Sequence, residues 1–189
     1  MPTSQEVVVP TRLLEPETTR APKTHEPITE PMRILDRLLD TTPELHLTLC
    51  RMILGGVMFA HSTQKLLGWF GGPGFMSTLE SFRNTLGLPL IVGVLVVFAE
   101  FVGSIGLILG FLGRAAAACI VTVMVGAILL VHMEYGFFMN WFGKNSGEGF
   151  EYHLLAIGLA IPILARGSGA ASFDQWLLRQ IRKDRTEAS

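Results

Sequence analysis

Glu100 stands at the midpoint of an apolar run, residues 88–112, that carries no other charge until it ends. At about 25 residues, the run exceeds the roughly 20 that a helix needs to cross a bilayer. A bare carboxylate at that depth costs about 2.5–3.5 kcal/mol even on lenient insertion scales. It must be protonated, paired, or turned toward protein or water, which makes it a candidate functional residue. Few other polar residues interrupt the apolar segments. His61, Gln64 and Lys65 close one segment, His132 closes another, and Glu151 and His153 open the last. His61, Gln64 and Lys65 are spaced i, i+3, i+4 and share one helical face. Imidazole, ammonium and carboxylate together supply hydrogen-bond donors and a store of protons. Trp69, Phe70 and Phe137 are aromatic candidates to line an apolar slot beside them.

Each of these residues also has a plainer role. A lone lysine near a helix end snorkels to the headgroups, and that is the default for Lys65. His132 can cap its helix and face water. Arg51, about 9 Å inside its segment at 1.5 Å per residue, competes with the other cations as the partner of Glu100. Glu151 and His153 are two apart, which on a regular helix sends them to opposite faces, so one of them is expected to precede the helix. The group weighs more than its members, because scattered snorkelling residues would not gather on one side above a mid-membrane acid.

Four membrane-scale segments position these residues: about 45–67, 88–112, 115–133 and a short fourth, 152–165, that contains Pro162. The whole chain is 49% apolar and only 16% charged over 189 residues. That balance indicates an integral membrane protein, and a net charge of −1 carries no signal for nucleic acid. Residues 1–44 hold seven of the 10 prolines and too little apolar surface for a core. Residues 1–30 are accordingly expected to be disordered, with a possible amphipathic surface helix over 32–39. No apolar stretch follows the N-terminus as a signal peptide requires. Cys50 and Cys119 lie apart inside apolar segments and read as small buried hydrophobes.

Lysine and arginine set the expected orientation. Arg33 and Arg37 precede the first segment, Arg114 sits between the second and third, and Arg166, Arg179, Arg182, Lys183 and Arg185 follow the fourth. The intervening loops 68–87 and 134–151 carry only Arg83 and Lys144. The positive-inside rule places both termini in the cytoplasm and both loops outside, which requires an even number of spans. The fold class expected is therefore an all-α, four-helix transmembrane bundle over 45–167, with 168–189 as a cytoplasmic tail. The Gly- and aromatic-rich loops suit an interfacial belt and, taken together, a lid over an outer-side pocket.

Quinones dissolve in the bilayer, and their reduction takes two electrons and two protons. His61, Lys65 and His132 can donate to a carbonyl, and Glu100 and Glu151 can carry protons. Two membrane histidines can instead ligate haem or a metal, but the His and Glu residues show no recognised ligand spacing. There is no GxGxxG, P-loop, CxxCH or Ser/His/Asp pattern. No cofactor motif and no electron carrier are identifiable. A solute carrier with a water-filled path through Glu100, and a scaffold whose polar cluster holds a partner helix, are the alternatives.

The segments RMILGGVMFAHSTQKLLGWFGGPG (51–74), FAEFVGSIGLILGFLGRAAA (98–117), VHMEYGFFMNWFG (131–143) and GFEYHLLAIGLA (149–160) resemble the DoxX family of small four-helix membrane proteins. The matching positions are His61, Gln64, Lys65, Trp69, Gly71, Gly72, Glu100, Gly103, His132, Gly136, Glu151 and Tyr152. Ser62 departs from the glycine usual in the family. The resemblance implies a bacterial inner-membrane protein that interacts with a quinone (ubiquinone or menaquinone) as a subunit of an oxidoreductase. A partner subunit or a second copy would complete it. Glu100, His61 and Lys65 would then be catalytic. Gln64, Trp69, Phe70, His132, Phe137, Glu151 and Tyr152 would bind the ligand, and no metal is implied.

Overall fold

A computed structural model describes residues 36–187. The proline-rich segment 1–30 and half of the surface helix expected over 32–39 lie outside the described residues. The described part of that helix, residues 36–39, is helical (α1) and buries Leu39. The elements that follow are α2 (Leu45–Leu67), α3 (Gly74–Leu86), α4 (Leu90–Leu109), α5 (Gly113–Ala127), α6 (Glu151–Arg166) and α7 (Phe173–Glu187). α5 continues through a π turn, Ile128–His132, and a 3-10 turn, Met133–Tyr135.

α2, α4, α5 and α6 run alternately up and down and close a ring in which each packs on two neighbours. Small residues bring the first pair together. A Cβ on Gly55 would meet Leu107 and Ile108 at 3.0 Å, and Ser62 Oγ lies 3.4 Å from Ser104 Oγ. Gly103 does the same between α4 and α5, where its absent Cβ faces Ile120. The interior is apolar, with Leu54, Met58, Leu107, Ile120, Ala160 and Ile163 almost fully buried. The outer surface is apolar as well, with Ile53, Leu95, Val102 and Leu155 all more than half exposed. Hydrophobic residues all round a helix are the mark of a bundle in lipid.

Three helices are long and apolar enough to cross a membrane: Leu45–Leu67, Leu90–Leu109 and the continuous Gly113–Tyr135. α6, with 16 residues and Pro162 inside it, is shorter than that, although it completes the ring. The loop expected over 68–87 proves to contain a helix. α3 carries Phe75, Leu79 and Phe82 on one face and packs on α2 and α4, with Leu79 and Phe82 against Gly93. Thr78 Oγ1 donates to the carbonyl of Lys65 at 3.2 Å, joining α3 to the end of α2.

Arg51 does not pair with Glu100. It sits at the opposite end of the bundle, about 21 Å along α2 from Lys65 at 1.5 Å per residue. Only 2% exposed, it donates to the carbonyls of Leu107 (2.8 Å), Ile108 (2.6 Å), Ser168 (2.9 Å) and Ala171 (2.9 Å). Two of these are carbonyls in the last turn of α4, where helical donors run out, and that of Leu107 also accepts from the Gly110 amide at 3.2 Å. Asp174, 1% exposed, answers at the start of α5 by accepting from the amides of Leu112 (2.7 Å) and Gly113 (3.0 Å) and from Ser168 Oγ (2.6 Å). The segment read from sequence as a tail, 168–189, thus contains a helix whose first turn is bonded into the bundle.

Candidate functional site

Lys65 Nζ lies 2.6 and 2.7 Å from the two carboxylate oxygens of Glu100. Glu100 is fully buried, while the lysine side chain is 31% exposed. Helix direction explains how they meet. Cα–Cβ bonds lean toward the N-terminus of their own helix. In antiparallel α2 and α4, therefore, Lys65 leans down into the bundle and Glu100 leans up toward it. Snorkelling outward, the default for an isolated lysine, is not what this residue does.

Two cavities adjoin the pair. One, of about 270 Å³, is lined by His61, Lys65, Glu100, His132, Tyr152 and His153 together with the thioethers of Met58, Met124 and Met139. The other, of about 410 Å³, is walled by Phe82, Leu86, Val92, Val96, Val123 and Leu130, among others, and opens between α3, α4 and α5. Lys65, Glu100, Ala127 and His132 line both. A chamber whose wall carries ionisable and thioether side chains therefore meets an apolar slot at one ion pair.

Rings string along the chamber wall. His61 lies 5.4 Å from Tyr152 (centroid to centroid), Tyr152 5.4 Å from His153, and His153 4.1 Å from His132. His132 is held by an Nδ1 contact of 2.8 Å with the carbonyl of Glu148. Tyr152 reaches the sulfur of Met58 at 3.5 Å. His153 is 6% exposed, and its Nδ1 finds no partner among the described residues. A buried unsatisfied nitrogen is costly and calls for a reason, and a ligand is one such reason.

Of the residues expected from sequence, Glu100, His61, Lys65, His132 and Tyr152 come together here. Gln64 does not line either cavity. Its backbone lies under Gly72, where a Cβ would collide with it, and this fixes the 3-10 turn Trp69–Gly71 against the end of α2. Trp69 and Phe70 are 52% and 72% exposed and meet edge to face. Phe137 packs between Phe138 and Phe150, outside both cavities. Glu151 accepts from the Met139 amide at 3.3 Å and steadies the loop. Both Glu151 and His153 fall within α6, with Glu151 its first residue, and the opposite-faces argument turns His153 inward. His153, read from sequence as one of the polar group but not assigned to the site, is part of the wall, and Ala127, Glu148 and the three methionines are wall residues that the sequence reading passed over. The parity of 151 and 153 was the available signal for the histidine, whereas isolated methionines in apolar helices give none. Among the described residues, no group of three or more His, Cys, Asp or Glu gathers in a metal-binding arrangement.

Residues 46–133 match the DoxX family model. The match takes in His61, Lys65, Glu100 and His132 and ends before α6, which contributes Tyr152 and His153. No curated protein and no solved structure matches the chain.

Proposed function

We propose that the DoxX-family domain at residues 46–133, completed by α6, binds a membrane quinone as the quinone-interacting part of a membrane oxidoreductase. The chain is an integral membrane protein by its family match and apolar helices. In this reading α6 is a short fourth span, both termini are cytoplasmic, and the chamber opens toward the outer side of a bacterial inner membrane. The observation that carries the proposal is the ion pair shared by the two cavities. A lipid-soluble ring with two carbonyl oxygens needs polar donors at the ring and an apolar path for its tail, and the paired cavities offer both.

A quinone accepts two electrons and two protons on reduction. The residues of this chain supply the proton side. Lys65, His61, Tyr152 and His153 offer donors around the chamber, and the Lys65–Glu100 pair holds a proton at the boundary between chamber and slot. Phe82, Val96 and Leu130 keep the slot apolar, as the tail of a membrane quinone requires. Electrons come from a partner subunit, since this sequence has no electron-carrier motif.

The test is the affinity of a quinone analogue for the purified protein reconstituted in lipid. His61→Ala is expected to weaken binding roughly ten-fold, the equivalent of about 1.4 kcal/mol and within the range of one lost hydrogen bond. Wild-type protein that binds no quinone, or unchanged affinity in the folded variant, overturns the reading. Lost expression with unchanged affinity would put a scaffold role first.

A further inference from the structure

The end of the bundle opposite the chamber carries an aromatic cluster and a cationic helix that the proposed function does not use. α4 and α5 both belong to membrane-length helices, so the turn that joins them, residues 110–112, lies at a membrane boundary. α7 is fastened to that turn. Asp174 accepts from the amides of Leu112 and Gly113, and its own amide donates to the Gly110 carbonyl at 3.0 Å.

From this anchor, Phe173 packs edge-on against Phe111 at 5.5 Å and lies 5.1 Å from the ring of Trp176. Phe111, Phe173 and Trp176 are all exposed. They prolong the lipid-type surface of α4, where Val102 and Leu109 are also exposed. Exposed rings at the end of a span suit the boundary between hydrocarbon and headgroups. Further along α7, Trp176, Arg179 and Lys183 follow at i, i+3 and i+7 on one face and are exposed, with Lys183 3.8 Å from Glu187, whereas Arg182 lines a groove with Asp36 and Asp40. On the inward side Asp174 and Leu178 are buried. Aromatic anchors at the root and cations beyond them are the pattern of a helix that lies on a charged bilayer.

We propose that α7 is a membrane-surface helix that docks onto anionic phospholipid headgroups. Phe173 and Trp176 enter at the boundary, while Arg179 and Lys183 meet the phosphates. Charge complementarity selects the occupant, because guanidinium groups match phosphate oxygens in both charge and shape.

The full chain is reconstituted in nanodiscs of phosphatidylcholine alone or mixed with phosphatidylglycerol, and amide hydrogen exchange is followed over residues 173–187. Exchange is expected to slow in the anionic discs. Salt at about 0.5 M should reverse the slowing, and the double substitution Arg179→Gln/Lys183→Gln should abolish it. The effect should be roughly five-fold per cation, matching about 1 kcal/mol for each at an anionic surface. Equal exchange in the two discs overturns the proposal and would leave the basic face to an acidic protein partner. A slowing that survives salt overturns it too. Exchange in α2 and α4, read in the same experiment, reports whether the double variant folds. If it does not, the salt series on the unaltered chain decides.

Discussion

Arg51 and Lys65 are two cations of one helix, one near each end, and the bundle treats them in opposite ways. Arg51 is wholly enclosed and spends its donors on four backbone carbonyls that hold the ends of α4 and the 168–171 loop. Lys65 is partly exposed, bonds a single carboxylate, and stands between two cavities. Fixed backbone acceptors on every side leave a charge nothing further to do than maintain architecture. A charge balanced by one titratable side chain, beside a chamber with an unpartnered histidine nitrogen, remains available to a ligand. The two differ in exposure and also in the nature of their partners, fixed carbonyls for one and a single carboxylate beside two cavities for the other.

The comparison breaks most readily at the architectural end. Arg51→Met is expected to destabilise the protein by about 3–5 kcal/mol, because it strands buried carbonyls at three places in the chain. Denaturant unfolding in detergent measures this, and a loss below about 1 kcal/mol would erase the contrast with Lys65. At the other end, Lys65→Met should cost less, about 2–3 kcal/mol, since Lys65 is partly exposed and bonds a single carboxylate. Adding Glu100→Gln should return part of that stability, so the double variant unfolds later than Lys65→Met alone. Strictly additive losses would show that the two residues do not act as a pair. The smallest effect belongs to the seam between the two ends. Ser62 and Ser104 each already bond a carbonyl of their own helix, at Phe59 and Phe101, and face each other at 3.4 Å. Ser104→Ala is expected to shift stability by less than about 1 kcal/mol in the same assay.

Hydropathy made the membrane helices legible, and their ends fell within a few residues of the positions expected. A signal for the direction of Glu100 is present as well, in the small residues Gly103 and Ser104 that follow it by three and four positions. The partner of Glu100 was not legible. Arg51 and Lys65 are both cations of the first span, and only the antiparallel register of α2 on α4 chooses between them. α3 was hidden because glycines and aromatics dominate its flanks, although Phe75, Leu79 and Phe82 carry helical spacing. Trp69, Phe70 and Phe137 looked like slot residues by type, yet backbone turns at Gly68, Gly71 and Gly136 direct the chain so that they lie exposed outside the cavities. Side-chain chemistry suggested the inventory of the site, and helix register decided which members entered it.

The π turn at Ile128–His132 acts as a change of phase in the helical repeat. Ala127 and His132 are five positions apart, a spacing that in an unbroken α-helix would separate them by about 140° around the axis. Both nevertheless line both cavities. A π turn takes up one residue more than an α turn, and that surplus swings the imidazole back toward the chamber. The π turn is thus as much a property of the site as the histidine itself. A chain one residue shorter between Gly126 and His132 would place its imidazole four positions after Ala127, about 40° around an unbroken α-helix, and would keep it at the chamber with no π turn.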